Sequence, residues 1–181
     1  MTEEELIVLL SDRWPESSAD GLACRVCDAE AVGVLYRLET FISGEMPNSL
    51  RHRLLFRGAY VLERICFRNR AAFLPYVENF CRRAFSECTD PSARRPFGKI
   101  MADLLECIGP DAGTLACIAE TAADPTAKVA VRIWAVEVLK HCRGRVAWVE
   151  EVWPDLLELQ SAGATPGIVS RMRRSWRNTH T

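Results

Sequence analysis

Four arginines, Arg57, Arg95, Arg132 and Arg171, recur at steps of 38, 37 and 39 residues, each early in a helix-like stretch that follows a loop. A guanidinium stays charged at any physiological pH, and its planar fork of donors matches a carboxylate or a phosphate in bidentate fashion. A regular series of such groups suits an extended anionic partner. Lys99 stands four residues after Arg95, and Lys128 with Arg132 and Arg173 with Arg177 repeat that spacing. Like charges at i,i+4 oppose one another by a few tenths of a kcal/mol, so these pairs require anions nearby. Along residues 50–68, Arg53, Arg57, Arg64 and Arg68 fall within about 60° of one another at 100° per residue, while Leu54, Leu55, Gly58, Leu62 and Ile65 take the opposite arc. The anions have two sources. They belong to a ligand, or they are acids of a neighbouring hairpin, for which Glu63, Asp103, Glu106 and Glu137 are the candidates.

Other residues with chemical potential are less organised. Cys24-Arg25-Val26-Cys27 has the spacing of a zinc half-site or a redox pair, yet Cys81 and Cys88 are seven apart and His141-Cys142 are adjacent, so no second pair of ligands follows. Without a βαβ pattern a thioredoxin-like use fails too, and both cysteines are expected to pack as small helix-face residues. The histidines are His52, His141 and His180. His141 closes a helix, where a cation suits the dipole, and His180 falls in the C-terminal tail. No nucleophile elbow, H-E-x-x-H or phosphate-binding glycine loop is present. Trp134 near Arg132, and Trp176 among Arg173, Arg174 and Arg177, offer indoles beside guanidinium groups, an arrangement that stacks nucleobases. Core packing is the alternative for Trp134, Trp148 and Trp153.

A chain of 181 residues removes roughly 70% of its unfolded surface from water on folding, enough for a core without covalent staples. The chain opens Met1-Thr2-Glu3-Glu4-Glu5, with acid where a targeting peptide needs base, and no apolar run approaches the roughly 20 residues that span a bilayer. The eight cysteines are therefore expected as reduced thiols of a cytoplasmic protein. The net charge of -1 hides a segregation: residues 1–50 carry -7, residues 51–100 +7, residues 101–160 -5 and residues 161–181 +4. Distinct charged surfaces follow if the fold keeps these blocks apart.

Strand alternation is missing and helical periodicity dominates. It predicts helices near 3–14, 19–43, 50–68, 71–88, 92–108, 112–123, 126–142, 145–161 and 165–178. Asp90-Pro91, Asp124-Pro125 and Thr165-Pro166 read as caps followed by a first-turn proline. Pro75, Pro96 and Pro154 are expected close to helix starts, and Gly44, Gly109, Gly144 and Gly163 in gaps.

The segments Leu54-Leu55-Phe56-Arg57-Gly58-Ala59-Tyr60-Val61-Leu62, Phe73-Leu74-Pro75-Tyr76-Val77 and Arg94-Arg95-Pro96-Phe97-Gly98-Lys99-Ile100 share an arginine or aromatic after a loop, then small and aliphatic residues at helical spacing. Over residues 28–178 the chain resembles the HEAT/armadillo-like helical-repeat superfamily, specifically short bacterial HEAT-like proteins of unassigned function. That resemblance implies an all-α, right-handed superhelix of about four antiparallel helix pairs in a single domain over 1–181. One helix of each pair lines a concave face, and residues 1–25 form an N-terminal cap.

The expected function is a non-catalytic protein-interaction module. Its basic concave stripe, Arg57, Arg95, Lys99, Arg132 and Arg171, holds an acidic protein segment, with no catalytic residue, metal or cofactor assigned. The competing expectation is nucleic-acid binding, and remotely an alkylpurine DNA glycosylase-like enzyme, since one such family uses HEAT-like repeats. Trp134 with Asp103 or Glu137 would imitate its aromatic and carboxylate pair. A sequence pI near 6.3 weighs against a dedicated duplex binder. Pro96 is expected to start its helix and leave Arg95 at the solvent-facing end, where Arg95→Glu would leave stability nearly unchanged.

Overall fold

A computed structural model describes residues 2–12, 14, 18–41, 47–88 and 90–177. Gly44 and His180 lie outside the described residues. Among those described there is no strand, and no helix is long and apolar enough to cross a membrane. The chain forms two compact units, Met1–Ile108 and Gly109–Thr181.

In the first unit, α1 (Glu3–Ser11) opens with a capping box: Thr2 Oγ1 accepts from Glu5 N at 3.2 Å and Glu5 Oε2 accepts from Thr2 N at 2.8 Å. The expected helix over 19–43 is two helices, α2 (Ser18–Arg25) and α3 (Ala29–Phe41). Asp28 makes the break, because its Oδ1 accepts from Ala31 N at 2.8 Å and so caps a new helix. Next comes α4 (Asn48–Arg68), which packs against α1, α2 and α3. Leu54, Leu55, Gly58, Leu62 and Ile65 are buried, as the arc of the periodicity predicts. Residues 1–25 are more than an appended cap: Leu6, Leu10, Leu22 and Ala23 are core residues beside α4.

The expected helix over 71–88 is broken twice, into a 3₁₀ segment (Arg70–Tyr76), α5 (Val77–Arg82) and α6 (Ala84–Glu87). Pro75 lacks the N–H and crowds the carbonyl four residues back, so the tighter turn replaces an α-helical one. Before α7 (Arg94–Leu104), Asp90 Oδ1 accepts from Ser92 N at 2.7 Å and Ala93 N at 3.2 Å. The core of this unit centres on Phe80, whose ring lies 5.1 Å from Tyr36, 4.8 Å from Phe73 and 6.2 Å from Phe97.

In the second unit, α8 (Ala112–Ala123) is capped by Asp111, whose Oδ2 accepts from Thr114 N at 3.0 Å, and it packs on α9 (Val129–Cys142). Asp124 caps a turn rather than α9: its Oδ1 accepts from the amide and hydroxyl of Thr126, and the helix begins further on, at Val129. Pro154 sits midway along α10 (Ala147–Ala162), not near its start. Pro154 and Glu150 lie on the exposed side of the helix, while Val149, Trp153 and Leu156 anchor both of its halves in the core. Gln160 Nε2 donates at 2.7 Å to the Ala122 carbonyl at the end of α8. Thr165 caps α11 (Pro166–Arg171), with Pro166 in its first turn, and a π turn follows over Met172–Trp176.

Two solvent-accessible carboxyls of this unit are held more acidic than usual by hydrogen bonds. Hydrogen bonds from the Arg143 guanidinium hold Glu150 below its usual range, and hydrogen bonds from Thr126 do the same for Asp124. Groups with depressed folded-state values contribute stability that is present above the ordinary carboxylate range and lost as pH falls through the depressed values. Arg143→Ala should therefore flatten the acid limb of the second unit's stability, read by urea unfolding across that pH range, and an unchanged limb would contradict the pairing.

Candidate binding site

The cationic face of α4 turns toward the N-terminal segments. Arg57 Nη1 donates to the carbonyls of Leu10 and, at 2.8 Å, Asp12, satisfying acceptors that the end of α1 leaves free. Its guanidinium lies 5.0 Å over the Trp14 ring. Arg64 and Arg68 face the carboxylate of Asp20 at 3.6 and 3.2 Å. Between them a pocket of about 490 Å³ is lined by Trp14, Ala19, Phe56, Arg57, Tyr60 and Arg64. Phe56 and Tyr60 form a tilted aromatic pair at 4.9 Å, and His52 stacks on Phe56 at 6.2 Å, so one rail of the pocket continues as an aromatic ridge along α4. The pocket joins flat apolar walls to two guanidinium groups. Burial lowers the pKa of Arg57, and the neighbouring charge of Arg53 lowers it further. An anion bound there would offset both effects.

The five stripe residues divide between the units and meet different fates. Arg57 lines the pocket. Arg95, second residue of α7, is half-buried, donates to the Tyr60 hydroxyl and lies 5.3 Å over the Tyr60 ring. It is not at a free end: Pro96, expected to start the helix, is its third residue and is buried. Arg95→Glu should cost about 1–2 kcal/mol through the lost cation–π contact and hydrogen bond, read as a lowered melting temperature with helicity retained below it. An unchanged melting temperature would restore the solvent-facing reading. Lys99 forms an ion pair with the fully buried Glu63. In the second unit Arg171 Nη1 donates to Glu137 Oε1 at 2.8 Å and stacks 4.9 Å over Trp134, while Arg132 is half-buried, its charge one of the lesser influences on Asp124.

All four acids that the sequence offers as internal partners are engaged. Glu63 takes Lys99, Glu137 takes Arg171, and Asp103 and Glu106 both face Arg70, at 3.4 Å each. Internal pairing thus accounts for Lys99 and Arg171, whereas Arg57 lines the pocket and Arg95 is held by Tyr60, one of its walls. The indole of Trp176, expected as a stacking surface, is fully buried and donates from Nε1 to Glu137 Oε1 at 2.9 Å. Asp103 also accepts from the Cys66 thiol at 3.7 Å, and burial pushes that thiol up to about 12. Both glycosylase-like carboxylates therefore belong to internal networks.

Cys24 is exposed and Cys27 half-buried, so neither is fully packed in the core as expected. Cys27 sits in the turn after α2, where its carbonyl accepts from Asn69 Nδ2 at 2.7 Å. Among the described residues no group of three or more His, Cys, Asp or Glu side chains converges as metal ligands. Trp14, Phe56 and Tyr60 are the site residues that sequence reasoning missed. The i,i+4,i+8 spacing of His52, Phe56 and Tyr60 within the arginine-rich helix is the signal that could have found the ridge.

No protein-family model matches this chain, and no curated protein or solved structure matches it significantly.

Proposed function

We propose that this chain is a non-catalytic interaction module whose first unit holds an acidic segment of a partner protein in the pocket beside α4. The observation that carries the reading is the pocket itself: aromatic walls of Trp14, Phe56 and Tyr60 with Arg57 and Arg64 at their edges. A segment pairing an aromatic or aliphatic side chain with flanking carboxylates satisfies both halves of such a surface, since arginine binds carboxylates in bidentate fashion. Each unit contains a packed helix hairpin, α3–α4 in the first and α8–α9 in the second, the kind of element from which helical-repeat binding surfaces are built.

The test is a calorimetric titration of the full chain with a synthetic peptide in which one tryptophan is flanked by aspartates and glutamates. Arg64, which lines the pocket with its side chain about two-fifths exposed, is the informative position, and the melting temperature and helicity of the variant are read alongside because Arg64 also faces Asp20. Arg64→Glu is expected to weaken binding by about tenfold or more, the loss of one charge-assisted contact and the gain of a repulsion. Equal affinity of the two proteins would refute the site. Preference for a single-stranded oligonucleotide over the peptide would transfer the pocket to the nucleic-acid reading.

A further inference from the structure

The second unit carries a separate groove of opposite electrostatic character. A cavity of about 320 Å³ runs between α8 and α10, where Trp148, Val152, Leu156 and Leu159 line one side and Ala119 and Ala123 the other. On α10 these residues follow i, i+4, i+8 and i+11, an apolar stripe roughly 16 Å long at 1.5 Å per residue. Val152 and Leu159 remain 39% and 46% exposed, although the rest of the helix is anchored through Val149, Trp153 and Gln160 on another arc. The facing rail is two alanines one turn apart, low enough for a helix backbone to settle against it.

The flanks of this groove are acidic. Asp155 lines it, and at 100° per residue Glu151 and Glu158 fall on the same side of α10, while Glu120 adjoins the alanine rail on α8. All four are exposed, and none forms an ion pair among the described residues. An apolar trough of three helical turns between uncompensated carboxylates is complementary to a helix with an apolar face bordered by lysines or arginines. We propose that this groove docks a basic amphipathic helix of a partner protein. The C-terminal cations Arg173, Arg174 and Arg177 of a second copy do not supply such a helix, because the apolar side chains beside them, Ile168, Met172 and Trp176, are already buried in the second unit.

The experiment uses the full chain and two labelled synthetic peptides of about 18 residues, each with leucine at i, i+3, i+4 and i+7, one carrying lysine at the remaining positions and the other glutamate. Fluorescence anisotropy should show the lysine peptide binding, its affinity falling as salt rises from about 50 to 300 mM, and the glutamate peptide failing to bind this groove. Ala119→Trp, which fills the groove, should weaken the lysine peptide by about tenfold or more. Glu151→Lys/Asp155→Lys should weaken the lysine peptide and add binding of the glutamate peptide beyond that of the unaltered chain, a gain that misfolding cannot imitate. The inference is overturned if neither peptide binds, or if charge reversal leaves the preference unchanged. It is likewise overturned if the chain sediments as a dimer that Leu159→Glu dissociates, since the groove would then belong to a second copy. Arg64→Glu, in the other unit, reports on the acidic-segment pocket alone, so each site can fail without the other.

Discussion

Replacing Lys99 by methionine is expected to destabilise the first unit by about 3–5 kcal/mol, the cost of leaving a buried charge without its partner. Glu63 projects from the buried side of α4, its side chain only 1% exposed, and Lys99 on α7 supplies the opposing charge. The other carboxylate oxygen of Glu63 has no hydrogen-bond partner among the described residues, so little else would compensate the charge once the ammonium is gone. Methionine keeps much of the lysine stem's volume and isolates the electrostatic loss from a packing loss. The companion variant Glu63→Met/Lys99→Met should recover most of the stability, because two apolar side chains of similar size replace a desolvated pair at little cost. A double-mutant cycle from denaturant unfolding reads both values. A single variant within about 1 kcal/mol of the parent would show that Glu63 is not held as a buried carboxylate by Lys99.

Phe80→Ala is expected to cost about 3–5 kcal/mol, through lost transfer free energy and the cavity left behind. Phe80 is 1% exposed and its ring meets those of Tyr36, Phe73 and Phe97, so α3, the 3₁₀ segment, α5 and α7 converge on this one side chain. Against a typical total of about 5–15 kcal/mol this is a large fraction. It should lower the melting temperature by roughly 6–20 °C in a chain of this size. Phe80→Leu, which retains most of the volume, should lose much less. If alanine and leucine prove equally mild, the aromatic cluster is not the core of the first unit.

What the sequence discloses about this chain depends on the range of the interaction. Leu54, Leu55, Gly58, Leu62 and Ile65 announce the buried arc of α4 because helical periodicity encodes a face directly. The break at Asp28 is not announced, since no glycine or proline marks it and a side-chain cap is visible only once a second helix begins. The pairing of acids and cations is half legible: Glu63, Asp103, Glu106 and Glu137 stand out as candidates, but which cation each meets is decided by tertiary packing. The pocket depends on Trp14, which meets Arg57 across a long stretch of chain and carries no local signal of that contact. The groove of the second unit hides for a different reason. Trp148, Val152 and Leu159 have the spacing of core residues, and periodicity cannot tell an apolar arc that is covered from one left open.

Locating a bound peptide decides whether the first unit holds an acidic segment against α4. An acidic peptide carrying a photo-reactive phenylalanine in place of its tryptophan would be irradiated with the full chain and the crosslinks mapped by mass spectrometry. Crosslinks are expected at Trp14 and along α4 from Phe56 to Arg64, suppressed by Arg64→Glu. Crosslinks confined to residues beyond Ile108, or indifferent to Arg64→Glu, would contradict this placement.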